Sequence, residues 1–390
     1  MNELSPVALF VYNRADNTER TLRALLANSL APHTDLYVFS DGGRDEKSWK
    51  AVREVRALLH TVEAEVLRAR TLNNITIVER PENYYLERNI IEGINQVLEH
   101  HETVIVLEDD IVTAPHFLEF MNDAFRIYKD DKRVMHVSGF TRLTPDPSLQ
   151  REGSIYRTNS KQQPASSYSI NPNATPKHQS PSPNPSLQRE GSIYHTGSEK
   201  QSSPTNPNAT PKHHTPLPLE GGDGGGSYFS PFMAGWGWGT WRDRWNGHFL
   251  HFSSRAEALE GISAELLNDI EYGGVFPCLK DLNRSPIPWD ICWAITIRRA
   301  GGLCLYPTHT LVRNIGLDGG THYRNLPRWV TRLIQRYEYD RPPYEGRIEV
   351  VAQEPIADPD IEAQMKAALT DWGIRYTWFG RLLRRIFAGH

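Results

Sequence analysis

The sequence predicts an α/β protein whose sheet is mostly parallel and doubly wound, interrupted by a disordered, low-complexity repeat insertion. Three observations predict it. Apolar runs without polar alternation recur along the first 140 residues, as strands buried on both faces require. Segments of helical spacing separate them, with short connections. One run stops abruptly on three carboxylates, Glu108, Asp109 and Asp110, which an apolar core would not tolerate.

Each element follows in order. Val7 to Tyr12 (VALFVY) is the first strand, and Asp16 to Asn28 a helix with Leu22, Leu25 and Leu26 on one face. Leu36 to Ser40 is the second strand, ending in Asp41-Gly42-Gly43. A long helix through Val52, Val55, Leu58, Leu59 and Val62 leads to a third strand at Ile75 to Val78. Leu86 to Leu98 is helical, and the VIVLEDD run from Val104, which stops on the acids, is the fourth strand. After Pro115 comes a helix on Phe117, Phe120, Met121, Ala124, Phe125 and Tyr128, then a strand at Arg133 to Ser138.

The character changes between Leu143 and Ser227, where Pro, Ser, Asn, Gln and Gly dominate. PSLQREGSIY occurs at Pro147 to Tyr156 and again at Pro185 to Tyr194; NPNATPKH occurs at Asn171 to His178 and at Asn206 to His213. Neither unit has an apolar face, so stacking the repeats would bury nothing to offset ordering entropy. Disorder within a surface loop is the expectation, since loop-closure cost grows only logarithmically with length. Order should resume at Tyr228. The glycine and tryptophan alternation from Gly235 to Trp241 suits a loop, with Trp241 and Trp245 as core members. Ala256 to Ile270 and Asp290 to Ala300 have helical patterns, and Gly302 to Tyr306 reads as a short strand. These shifts divide the chain into 1–144, the insertion 145–227, 228–323 and a C-terminal extension 324–390.

Bulk properties exclude several classes. A net charge of −4 advertises no nucleic-acid partner. Three scattered cysteines, Cys278, Cys292 and Cys304, make no disulfide framework and suit reduced cytosol. The N-terminus carries no basic stretch or cleavage site, so no signal peptide is expected. No apolar run approaches the ~20 residues that span a bilayer. The tail from Tyr376 to His390 mixes aromatic and aliphatic residues with arginines. It suits peripheral contact at the inner face of a membrane as well as it suits a terminal helix packed on the core.

Chemistry should concentrate where the strands end, because open α/β sheets place ligands at their carboxyl edge. Glu108, Asp109 and Asp110 exceed what a helix cap needs, and crowded hard oxygens suit Mg²⁺ or Mn²⁺ serving a phosphate. A solvated turn and the acid pocket of a receiver domain are the competing readings. Asn13 and Arg14 follow the first strand, and Asp41 with Gly42 follows the second, a turn in which backbone and carboxylate meet a base or ribose. Arg88, near Asn83 at the start of the next helix, is a candidate cation for a diphosphate. Trp236 and Trp238 are candidates to face a sugar; the competing reading is a hydrophobic knot. Asp290, beside Trp289 and Trp293, is either a helix cap or a desolvated base. His322 closes the glycine-rich loop from Asn314 and is a candidate to complete a metal shell with Asp110.

These residues, in this order, resemble the GT-A glycosyltransferases, and in particular bacterial sugar transferases akin to the N-acetylglucosaminyltransferase I group. The matching pieces are FVYNR at Phe10 to Arg14, FSDG at Phe39 to Gly42 and VIVLEDDIVTAPHFLEFMNDA at Val104 to Ala124. GWGWGTWRDRW at Gly235 to Trp245, and LCLYP with NIGLDGGTH downstream, extend the match. The resemblance implies a GT-A-type, Rossmann-like fold and a metal-dependent, inverting transfer. The donor would be a nucleotide sugar, usually of uridine diphosphate, and the acceptor a glycan or glycolipid. It implies that Asp41, Glu108 and Asp109 face the donor and that Asp110 contacts Mn²⁺ or Mg²⁺; Tyr12, Asn13, Arg14 and Gly42, on the same strand ends, are the further candidates to hold the donor. Asp290 would be the catalytic base, although the group carries a second acid where this chain has Ile291. A metal-dependent nucleotidyltransferase and a non-catalytic carbohydrate-binding module are the alternatives.

Overall fold

The computed structural model describes residues 4–143, 225–316 and 342–370, all within one compact unit. Ten strands are described: β1 (Val7–Val11), β2 (Asp35–Ser40), β3 (Asn74–Glu79), β4 (Thr103–Glu108), β5 (Ile111–Thr113), β6 (Val134–Ser138), β7 (Ser227–Ser230), β8 (Trp238–Trp241), β9 (Leu303–Pro307) and β10 (Val312–Asn314). Eight of them form one sheet in the order β3-β2-β1-β4-β8-β6-β9-β7. β1 pairs in parallel with β2 and β4, β2 with β3, and β6 with β9. β8 and β7 run against their neighbours. The architecture is thus mixed α/β on a mostly parallel sheet.

The unbroken apolar runs are explained by cover on both faces. Val7, Leu9 and Val11 of β1 share a core with Leu22 and Leu25 of α1 (Ala15–Leu26) and with Val55 and Leu59 of α2 (Glu46–Ala69). The alternate residue Phe10 turns to the opposite face, where it lies against Gly93 of α3 (Tyr85–Leu98) and stacks on Phe39 at 5.1 Å. Helix α2 starts at a capping box. Asp45 Oδ1 accepts from the Ser48 N–H at 2.7 Å, and the Asp45 N–H donates to Ser48 Oγ at 2.9 Å.

The chain lays β1, β2 and β3 outward in turn, then crosses back to place β4 on the other side of β1. A reversal of this kind, here at the carboxyl ends of β1 and β4, is where open α/β sheets place their ligands. Helix α4 (Phe117–Ile127) follows β4, and buried Arg244 ties off its end. That guanidinium donates to the carbonyls of Tyr128 (2.8 Å), Lys129 (2.7 Å) and Asp131 (3.2 Å).

Two sequence expectations need correction. The stretch containing Trp238 is not a loop: Trp238–Trp241 forms β8, inserted antiparallel between β4 and β6. Its glycine is what a central strand needs there, because a Cβ on Gly239 would lie 2.5 Å from the Val104 carbonyl oxygen. The helical pattern of Ala256 to Ile270 is two helices, Arg255–Leu259 and Ala264–Ile270, the second started by Ser263, which accepts from the Leu266 N–H at 3.2 Å. The fourth strand ends at Glu108, and after Asp109 and Asp110 the chain starts a separate strand, β5, that pairs with β10. The insertion, apart from Gly225, Gly226 and Ser227, and the tail from Tyr376 lie outside the described residues.

Candidate active site

The three acids emerge where β4 ends, opposite the turn that carries Arg14 from β1 into α1. Asp109 and Asp110 are both buried. Arg14 bridges them: Nη2 contacts Asp109 Oδ1 and lies 2.8 Å from Asp110 Oδ2, while Nε lies 3.3 Å from Asp109 Oδ2. The Tyr12 backbone N–H also donates to the Asp109 carboxylate. A second element closes on the same spot. The β5–β10 ribbon pairs Ile111 with Asn314, and the Ile315 N–H donates to the Asp110 carbonyl at 2.8 Å. This presses Gly316 against the Asp110 side chain so closely that a Cβ would fall 1.8 Å from Oδ2. Arg14 Nη1 reaches the Gly316 carbonyl at 3.4 Å.

One guanidinium cannot balance three carboxylates. Glu108, half-buried and without a hydrogen bond among the described residues, is held well above the usual carboxylate range, first by burial and then by Asp110 and Asp109; Asp290 adds to the push. Burial also carries Asp109 up to about 6, against the pull of Arg14. Arg14 itself is desolvated, but the two aspartates outweigh that and hold it more firmly protonated than usual. The direction at Asp109 is the reverse of an isolated ion pair. Its cause is the shortage of positive charge in a desolvated cluster.

The loop after β2 is built differently. The Asp41 carboxylate is buried and accepts from the N–H groups of Gly42 (2.9 Å) and Tyr84 (2.7 Å) and from Asn83 Nδ2 (3.0 Å). Burial pushes its pKa up despite these bonds. One acceptor position on Oδ2 is left after this. Gly42 also donates to the Glu82 carbonyl at 3.2 Å, so Asp41 and Gly42 clasp the 82–84 loop. Arg88 is exposed, bonded to Glu92 at 2.7 Å and laid over the Tyr84 ring at 3.7 Å. Tyr12 and Asn13 are half-buried at the turn after β1. Two residues that the sequence reading did not single out join this rim. Arg44 lies over the rings of Tyr85 (4.7 Å) and Tyr12 (5.7 Å), and Tyr85 is half exposed with a left-handed backbone, φ 59°. No sequence signal marks a tyrosine for that conformation.

Asp290 opens the Trp289–Arg299 helix. It is half-buried, its Oδ1 accepts from the Ile291 N–H at 2.9 Å, and burial raises its pKa. A tryptophan cluster holds its helix in place. Trp238 stacks between His136 and Trp289, each at 5.1 Å and 12°, with Trp293 and Trp245 at 6.4 and 6.0 Å. This corrects the expectation that Trp238 faces a sugar: the indole is fully buried, and both of its faces are covered. The competing reading of a hydrophobic knot holds for Trp238, and Trp241 and Trp245 are core residues as expected. Trp236 is half-buried, edge-on to Phe140 at 4.6 Å.

The donor set suits a hard divalent cation, because carboxylate oxygens converge on one positively charged stand-in, Arg14. Among the described residues no cluster of three or more His, Cys, Asp or Glu side chains could hold an ion. His322 lies outside the described residues.

No family model and no curated protein matches this chain. The solved structures that overlap part of it include the mannosyltransferase PcManGT from Pyrobaculum calidifontis, in complex with GDP-Man and Mn²⁺. It is 19% identical over 38% of this chain and 39% of that one, with a TM-score of 0.26. S. aureus TarS is 15% identical over 34% and 21% of the two chains at a TM-score of 0.25. Its 1–349 fragment is 16% identical over 34% of each chain, at a TM-score of 0.24. The first is a mannosyltransferase by name, and the overlap spans under half of each of these chains. Overlap this slight carries no argument about the site.

Proposed function

We propose that this protein is a glycosyltransferase that moves a sugar from a nucleotide donor to a glycan or glycolipid acceptor with the help of a divalent cation. The observation that carries the reading is the placement of Asp109 and Asp110 beside Arg14 at the reversal between β1 and β4. Residues 1–144 hold the donor in this reading, and 228–323 supply the acceptor side. Tyr12, Asn13, Asp41 and Gly42 line the nucleoside end, where Asp41 offers its remaining acceptor position to a base N–H. Glu108 and Asp109 face the sugar and ribose. Arg14 and Arg88 meet the diphosphate, which is a bidentate acceptor for guanidinium. Asp110 binds Mn²⁺ or Mg²⁺, and His322 joins it there; such a cation supplies Lewis-acid stabilisation of the departing diphosphate.

Asp290, made more basic by burial, takes the proton from an acceptor hydroxyl, which attacks the anomeric carbon with inversion. Trp236 remains as the aromatic platform for the acceptor. The three cysteines are free, in keeping with a cytoplasmic setting, and the C-terminal tail would supply any contact with the membrane's inner face. No described helix is long and apolar enough to cross a membrane.

The test is a panel of nucleotide sugars incubated with Mn²⁺ and glycan acceptors while free nucleoside diphosphate is followed. Release should occur with one donor class. Asp290→Asn should slow it by roughly 10²- to 10⁴-fold, as loss of a general base does, without weakening donor binding. Lost donor affinity would instead move Asp290 into the donor site. Glycan binding without release from any donor would favour a carbohydrate-binding module.

A further inference from the structure

The acids at the rim are covered by Arg14. Its side chain is 28% exposed, against 6% for Asp109 and 13% for Asp110 behind it. A cation arriving from solvent meets a guanidinium first. That guanidinium is anchored at three points, on Asp109, on Asp110 Oδ2 and on the Gly316 carbonyl. It also uses Oδ2 of Asp110, the oxygen beside which Gly316, just past β10, lies with room there for no Cβ.

We propose that Arg14 is an internal counter-ion that closes the cation site until a diphosphate draws it off Asp110. The inference rests on the function proposed above and deepens it. A divalent cation entering alone must share Asp110 with a fixed positive charge and binds weakly. A diphosphate offers the guanidinium two oxygens in the geometry it prefers. Once Arg14 turns to it, Asp110 is released to the cation and the diphosphate completes the coordination. Cation and diphosphate therefore bind cooperatively, and by linkage each tightens the other by the same factor.

The experiment measures Mn²⁺ binding to the full chain by calorimetry and by the electron paramagnetic resonance of free Mn²⁺. It is done with Mn²⁺ alone and with inorganic pyrophosphate, correcting for Mn²⁺ held by free pyrophosphate. In the unmodified protein, pyrophosphate should tighten Mn²⁺ at least about tenfold, a typical size for coupling between sites. Arg14→Gln should bind Mn²⁺ alone about tenfold tighter than the unmodified protein and lose most of the coupling. Arg14→Lys, which keeps the charge, should stay weak.

Removing one partner of a buried pair can unfold a chain. The Arg14→Gln/Asp109→Asn double variant, compared with Asp109→Asn, therefore provides the same contrast with the pair removed as a unit. Equal or weaker Mn²⁺ binding on losing Arg14 in both backgrounds, or no binding at all, overturns the proposal. Asp110→Asn then separates the two ideas. If it abolishes Mn²⁺ binding while loss of Arg14 fails to tighten it, only the counter-ion inference falls. If it leaves Mn²⁺ binding intact, the cation sits elsewhere and the proposed function loses its metal residue.

Discussion

Asp41 and Asp110 sit on the same rim, at the ends of β2 and β4 with β1 between them, about 10 Å apart by strand spacing. They are held in opposite ways. Asp41 is bound by two backbone N–H groups and an amide of its own chain, so all but one of its acceptor positions go to shaping a loop. Asp110 is bound by one guanidinium, the one proposed to leave, and lies close against a glycine. An acid satisfied by fixed donors is architecture. An acid satisfied by a side chain that can leave is available for chemistry. Residue type is identical at the two positions; the partners decide the role.

The contrast predicts divergent mutants. Asp110→Ala should cut sugar transfer about a thousandfold, since a cation at a departing diphosphate contributes several kcal/mol. Its melting temperature should fall little or rise, because one of three crowded acids is gone. A collapse in stability with activity intact would reverse the assignment. The opposite extreme is Trp238, whose truncation to Ala should cost about 3–5 kcal/mol in denaturant unfolding, as loss of a buried aromatic does. Only a change below about 1 kcal/mol, the level of a surface substitution, would restore Trp238 as a ligand-facing residue.

Asp41→Ala should cost about 1–3 kcal/mol of stability, because it leaves the Tyr84 N–H unpaired and removes one of two partners from Gly42 and Asn83. If nucleotide affinity falls while stability does not, Asp41 serves the ligand alone and holds no loop, and the contrast fails.

The acids also set a pH dependence. Asp109 has a folded pKa near 6, above its ordinary value, so the folded state binds the proton more tightly than the unfolded chain does. Stability of the cation-free protein should then rise as pH falls from about 6 towards 4, and decline as pH rises through that window. Thermal melts across it should show this, and Asp109→Asn should flatten the slope. A slope of the other sign would mean that Arg14 outweighs burial. The smallest effect is expected at Asp45, four residues beyond Asp41. Asp45→Ala should remove about 1 kcal/mol through the lost helix cap and leave nucleotide binding unchanged.

Much of the fold was legible because burial leaves a periodic trace. The strands β1 to β4 show as unbroken apolar runs, and α1 to α4 as faces of helical spacing. The rest was hidden for identifiable reasons. Trp238–Trp241 has the composition of a loop, and only contact with Val104 and Phe125 makes Gly239 a strand residue. Ser263 as a cap was overridden by an apolar pattern that ran past it. At the site, the sequence marked the acids by their abrupt charge. It could not show that Arg14, 95 residues before Asp109, binds it, nor that Gly316 closes on Asp110. Pairings across the sheet leave no local pattern.

The most direct test of the account is binding of a nucleoside diphosphate, in titrations with and without Mn²⁺, to the unmodified protein and to Asp110→Asn. The account predicts that Mn²⁺ strengthens binding to the unmodified chain at least about tenfold and has no effect on the variant. Equal strengthening in both would contradict it.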